Sequence, residues 1–147
     1  MTLPKYSERI TLHDAMQQFD NALADLVRDS DYKSAVNANI ASMRWIDALY
    51  CFNEYYEGIP DGFANEYRGK IDLALGMIVP LKRMAERHYK ELEKKLKTCT
   101  TEEKSRLQEQ IEHFKHEHTN LNSCAVQMRS RKTLVAKLVP KTPDHLG

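Results

Sequence analysis

Apolar side chains recur at steps of three and four through most of this chain, the spacing that gathers one face of an α-helix. After a polar leader over 1–10, Leu12, Met16, Phe19, Leu23 and Leu26 or Val27 form one such stripe. Thr11 and Asp14 open it as a T-x-x-D variant of a capping box, which predicts a helix to about Asp29. Ser30 or Asp31 can cap a second helix from Tyr32 to Glu57, through Ala35, Ile40 or Ala41, Met43 or Arg44, Ala48, Tyr50 or Cys51 and Tyr55. Between Trp45 and Phe52 apolar residues crowd nearly all round the cylinder, so this helix is expected to be the most buried. Gly58-Ile59-Pro60-Asp61-Gly62 stops it, glycine supplying the left-handed cap.

A third helix begins near Phe63 and carries Tyr67, Ile71, Ala74 or Leu75 and Ile78. Pro80 removes the amide that would bond to Gly76 and crowds that carbonyl, so a kink or break is expected there. A charged helix then runs from Leu81 through Met84, His88, Leu92 and Leu96 to about Thr98. Thr100 with Glu103 is a capping box for the last helix. Leu107, Ile111, Phe114, His118, Leu121, Ala125 and Met128 then follow at heptad spacing, with Leu134, Val135 and Leu138 beyond. The prediction is an all-α domain over 11–139, a four- to five-helix bundle with a long C-terminal antiparallel coiled-coil hairpin over 81–138, and a tail from 140. In that hairpin the second arm outruns the first. The stripe from Leu107 to Met128, with Val135, therefore needs cover from the other helices or from another subunit, and it is the expected interface.

Composition narrows the class. The 147 residues carry 22 Lys and Arg against 21 Asp and Glu, with 41% hydrophobic residues, as in a folded globular chain. No apolar run approaches the roughly 20 residues that cross a bilayer, and the N-terminus has no apolar signal core; a cytoplasmic protein without a membrane role is expected. Cys51, Cys99 and Cys124 have no paired spacing and read as reduced thiols. Residues 1–66 hold 5 basic and 11 acidic side chains and residues 67–147 hold 17 and 10, an asymmetry that favours self-association or an anionic partner.

Candidate chemistry is sparse. No glycine-rich phosphate loop occurs. His113 and His116 stand i, i+4 from Glu109 and Glu112, but no Glu-x-x-His accompanies them, so no metal and no cofactor is expected. His118 falls on the apolar stripe, where one polar residue tends to set register. Tyr55, Tyr56 and Phe63 flank the glycine-proline turn and, if exposed, would form a partner-binding knob. Basic residues cluster from Lys82 to Lys97, interleaved with Glu86, Glu91 and Glu93, which reads as a solvated face. Arg129, Arg131, Lys132 and Lys137 have no acid among them and are the expected contacts to RNA or DNA.

Arg83-Met84-Ala85-Glu86-Arg87-His88 has R-x4-H spacing. In this the chain resembles the HEPN superfamily of helical-bundle ribonucleases, which carry such a motif on a late helix and usually act as dimers. The resemblance implies Arg83 as phosphate clamp and His88 as general acid/base, in a metal-independent endoribonuclease of a toxin or defence system. The residues themselves favour a different reading. They point to a non-enzymatic oligomeric helical module, regulatory or adaptor in type, with a second copy or another protein as partner and RNA or DNA as a further one.

Overall fold

The computed structural model describes residues 11–140; the leader over 1–10 and the tail beyond 140 lie outside the described residues. Four helices follow one another: α1 (Leu12–Asp29), α2 (Tyr32–Tyr56), α3 (Phe63–Leu96) and α4 (Thr101–Val135). The protein is all-α. Three of the four helices start where a side-chain cap satisfies one of the free amides of the first turn. Thr11 Oγ1 accepts from Asp14 N at 3.1 Å, Asp31 Oδ1 from Ser34 N at 2.8 Å, and Thr100 Oγ1 from Glu103 N at 3.4 Å. Gly62 begins α3 at φ 85°, a left-handed conformation that a residue with a Cβ adopts only under strain. At the end of α2 the left-handed cap is Glu57 at φ 55°, one residue before the glycine that was expected to supply it.

The bundle with its C-terminal antiparallel hairpin is as predicted, but the bounds of the hairpin are not. Pro80 lies inside α3, which runs unbroken for 34 residues opposite the 35 of α4. Lys132 binds Asp72, Lys82 binds Asn122 at 3.2 Å, and His118 Nε2 stands 3.8 Å from Glu86. Each of these pairs lies equally far on either side of Glu102, so the antiparallel register is the same before and after the proline. A proline costs its own hydrogen bond, but it sits on the exposed side, where the freed Gly76 carbonyl reaches water. The hairpin is therefore 63–135 rather than 81–138. Its arms match in length, and no overhang is left.

The core lies at one end of this hairpin, where α1 and α2 pack on it. Trp45 is fully buried at its centre, 5.3 Å from the Phe19 ring and 4.7 Å from Tyr67, with Lys70 Nζ over the indole at 5.7 Å. Lys70 also bridges to Asp20 of α1 and Glu66 of its own helix. Ile71, Ala74 and Ile78 from α3 and Leu121, Ala125 and Met128 from α4 complete the core. The segment after α4 returns along the α2–α3 connection, with Ile59 N donating to Val139 O at 2.9 Å, and buries Leu138.

Candidate functional site

The expected interface stripe is largely inside the chain. Leu107, Ile111, Leu121, Ala125, Met128 and Val135 are all buried, sheathed by α3 and by the core, while Phe114 and His118 are half-buried. The inference that these side chains need a second subunit followed from a short first arm, and the first arm is not short. His118 faces the edge of Tyr89 at 5.7 Å and Glu86 across the seam.

Two of the four expected nucleic-acid contacts are committed within the fold. Arg131 Nη1 donates to Asn39 Oδ1 at 2.6 Å and to Ser42 Oγ at 2.9 Å, and its Nη2 donates to Gln127 Oε1 at 3.3 Å. Ser42 is fully buried, its hydroxyl donates to Asn39 O, and its carbonyl accepts from the buried Tyr67 hydroxyl at 3.1 Å. Burial pushes the Tyr67 phenol well above its usual range, the nearby Arg131 charge opposing this. Arg131 is thus a polar tie between α2 and α4, and Lys132 ties α4 to Asp72 of α3. Arg129 and Lys137 are exposed.

Arg83 and His88 do not converge. Five residues along an α-helix turn two side chains about 140° apart. Arg83 lines an open concavity with Pro80, Met84, Glu86 and Arg87, whereas His88 stacks on Phe114 of α4 at 4.9 Å and 22°. Within one chain the pair cannot hold one phosphate between them.

The structure gathers a different set of residues. The α1–α2 junction at Asp31 and Tyr32 seats against Ala85, His88, Phe114 and Glu117. Beyond it, α3 and α4 continue as a two-helix arm in which only Leu107 and Ile111 are buried. On one side of this arm an open groove of about 500 Å³ is lined by His88, Glu91, Leu92, Lys95, Glu109 and Phe114, with Gln110 and His113 completing its wall. His113 meets the Phe114 ring edge-on at 5.2 Å, and its Nε2 lies 3.0 Å from Glu117 Oε2. The groove was legible only as a pairing: the His88–Leu92 turn comes opposite Phe114 once the register about Glu102 is known.

His116 bonds Asn120 at 3.1 Å rather than a carboxylate, and among the described residues no three His, Cys, Asp or Glu side chains converge as a metal ion requires. Tyr55 and Tyr56 are exposed and stacked edge-on at 5.0 Å, while Phe63 turns into a shallow apolar cavity with Leu12, Met16 and Phe52. No helix among the described residues is long and apolar enough to cross a membrane. Set against known proteins, the chain matches no family model, no curated protein and no solved structure.

Proposed function

We propose that this chain is a non-enzymatic helical interaction module that self-assembles through its distal arm and serves as an adaptor or regulator. The groove beside Phe114 carries this reading. Past His88 the molecule is two helices thick, and Leu92, Leu96 and Phe114 remain half-buried along it. Two helices of this length leave part of each apolar stripe facing water, and a four-helix arrangement covers it. The groove also bears both signs of charge, Glu91 and Glu109 beside Lys95. Two-fold pairing repeats every contact, so one copy's Glu91 against the other's Lys95 is made twice. A partner of a single sign leaves one of these charges unmatched. The three unpaired thiols fit a reducing compartment, which supports the cytoplasm as its location.

Light scattering over a concentration series tests the proposal, because assembly follows mass action. Wild-type protein is expected to be a dimer at micromolar concentration, and Leu92→Glu a monomer of unchanged helix content. A wild-type monomer throughout that range removes the reading. The ribonuclease alternative requires one copy's Arg83 beside another's His88; RNA cleavage that disappears in His88→Ala is its signature.

A further inference from the structure

Along the distal half of α3 and its C-cap, Arg83, Arg87, Lys90, Lys94 and Lys97 follow at alternating steps of four and three residues. That spacing keeps all five within about 40° of a single line on the helix surface and about 21 Å from end to end. The line is opposite the side on which Ala85, Tyr89, Leu92 and Leu96 pack toward α4, and all five side chains are exposed. Lys90 is paired with Glu86 at 2.7 Å, while Arg83, Arg87, Lys94 and Lys97 have no side-chain partner among the described residues. At the base of the ridge, Arg83 and Arg87 stand one turn apart on the walls of an open concavity of about 510 Å³, with Glu86, the partner of Lys90, as its one acidic lining residue.

We propose that this ridge is a binding site for the phosphate backbone of a nucleic acid, held without reading its bases. The cations stand in single file about 5 Å apart along the axis, and a strand presents a phosphate every 3.4 Å or so of its own axis, enough to engage each cation. Glu86, Glu91 and Glu93 border the file on its two sides. They disfavour a broad anionic surface such as a bilayer more than a narrow strand, which can follow the line of Arg83, Arg87, Lys94 and Lys97 between them. An acidic helix would need an apolar seam beside the charges, and Met84 is the one exposed apolar side chain on this stretch. No aromatic ring lies on the ridge to stack a base, which makes binding indifferent to sequence. The ridge and the groove occupy different faces of the arm, so this inference stands whether or not the chain self-assembles.

The test is fluorescence anisotropy of the full chain with a labelled thymidine single strand and a labelled mixed-sequence duplex, over a salt series. Micromolar binding at low salt is expected. About four phosphates neutralised on the single strand give a log–log salt slope of about −3, an affinity loss of about 60-fold from about 0.05 to about 0.2 M salt. The variant Arg87→Gln/Lys94→Gln/Lys97→Gln should bring that slope to about −1. Arg129→Gln/Lys137→Gln, exposed cations elsewhere, should leave it unchanged. Circular dichroism confirms that each variant is folded, and the single charge reversal Arg87→Glu provides the same reading with the least change to the helix. Tighter binding of strand or duplex names the form held, and either outcome supports the site. The inference is overturned if neither nucleic acid binds at low salt, or if the ridge variant binds as wild type does. Binding to phosphatidylserine vesicles or polyglutamate with none to nucleic acid also overturns it.

Discussion

Arg131→Met separates a structural cation from a recognition cation. The substitution keeps the apolar stem and removes the guanidinium, so Asn39 Oδ1 at 2.6 Å and the buried Ser42 Oγ at 2.9 Å both lose their donor. Hydrogen bonds from a charged donor contribute about 1.5–3 kcal/mol each, and removing one partner of a buried polar group costs more than the bond itself gives. Arg131 is only half-buried, so water recovers part of that loss. A net destabilisation of about 2–3 kcal/mol follows, a fall in melting temperature of roughly 5–10 °C for a chain of this size. The matched control is Arg129→Met, two residues away and exposed, which should stay within about 0.5 kcal/mol of wild type. Urea unfolding followed by circular dichroism measures both. A double-mutant cycle of Arg131→Met with Asn39→Ala should return a coupling of about 1 kcal/mol or more. If Arg131→Met unfolds at the same urea concentration as Arg129→Met, the tie between α2 and α4 contributes nothing, and Arg131 returns to the pool of surface cations.

Pro80→Ala restores an amide donor to the Gly76 carbonyl in the middle of α3. Proline costs about 3 kcal/mol against alanine in a helix interior, and its stiffening of the unfolded chain returns about 0.5–1, so the variant should gain about 2 kcal/mol in urea unfolding. A loss instead would mean that the packing of α3 on α4 uses the distortion. Burial pushes the Cys124 thiol above its usual range, while Cys51 and Cys99 are half-buried. A thiol reagent should therefore modify Cys51 and Cys99 first and Cys124 only on unfolding; three equal rates would contradict the buried position. The Asp31 carboxylate is held below its ordinary 3.8 chiefly by hydrogen bonding from Ser34, so its contribution is present above about pH 4 and is lost as pH falls through the lowered value. Asp31→Asn keeps a capping oxygen that does not titrate, and its melting temperature should fall less than that of wild type from about pH 5 to about pH 2. Parallel curves would show that this cap is not coupled to the proton.

The helix starts were readable because the signals are local. Thr11, Asp31 and Thr100 each place an oxygen three residues before an amide that needs one, and no distant contact is involved. The end of α2 was shifted by one residue because Glu57 adopts the left-handed cap and leaves Gly58 to turn the chain at φ 149°. The break allowed for at Pro80 does not occur, for a different reason. Its local cost was assessed correctly, but the consequence depends on the helix opposite, and the ladder of pairs about Glu102 holds α3 in register across the missing bond. With that one error went the overhang, and with the overhang the case for an intersubunit seam from Leu107 to Val135. Arg131 shows the same limit for charges. A run of basic residues without acids reads as free from sequence, since Asn39 and Ser42, 92 and 89 residues away, announce nothing about where they fold.

What the molecule leaves unsatisfied is concentrated in the arm. At the core end, cations are matched to partners on other helices: Lys70 to Asp20, Arg131 to Asn39 and Lys132 to Asp72. Beyond Ala85 the ion pairs among the described residues stay within the hairpin: Lys90 with Glu86, Lys115 with Glu93 at 3.4 Å, and His113 and His118 with Glu117 and Glu86. Such exposed pairs contribute about 0–1 kcal/mol and give little reason to keep a two-helix extension folded for its own sake. Yet α3 crosses a proline to reach that length, and α4 matches it residue for residue. Deleting 89–113 with a short glycine-containing turn in their place should therefore leave the melting temperature of the Trp45 core within a few degrees, because neither Trp45 nor its neighbours Phe19 and Tyr67 touches the arm. The same deletion should abolish both dimer formation and nucleic-acid binding. A core that unfolds without the arm would make the extension a structural brace and would remove the ground for assigning function to it.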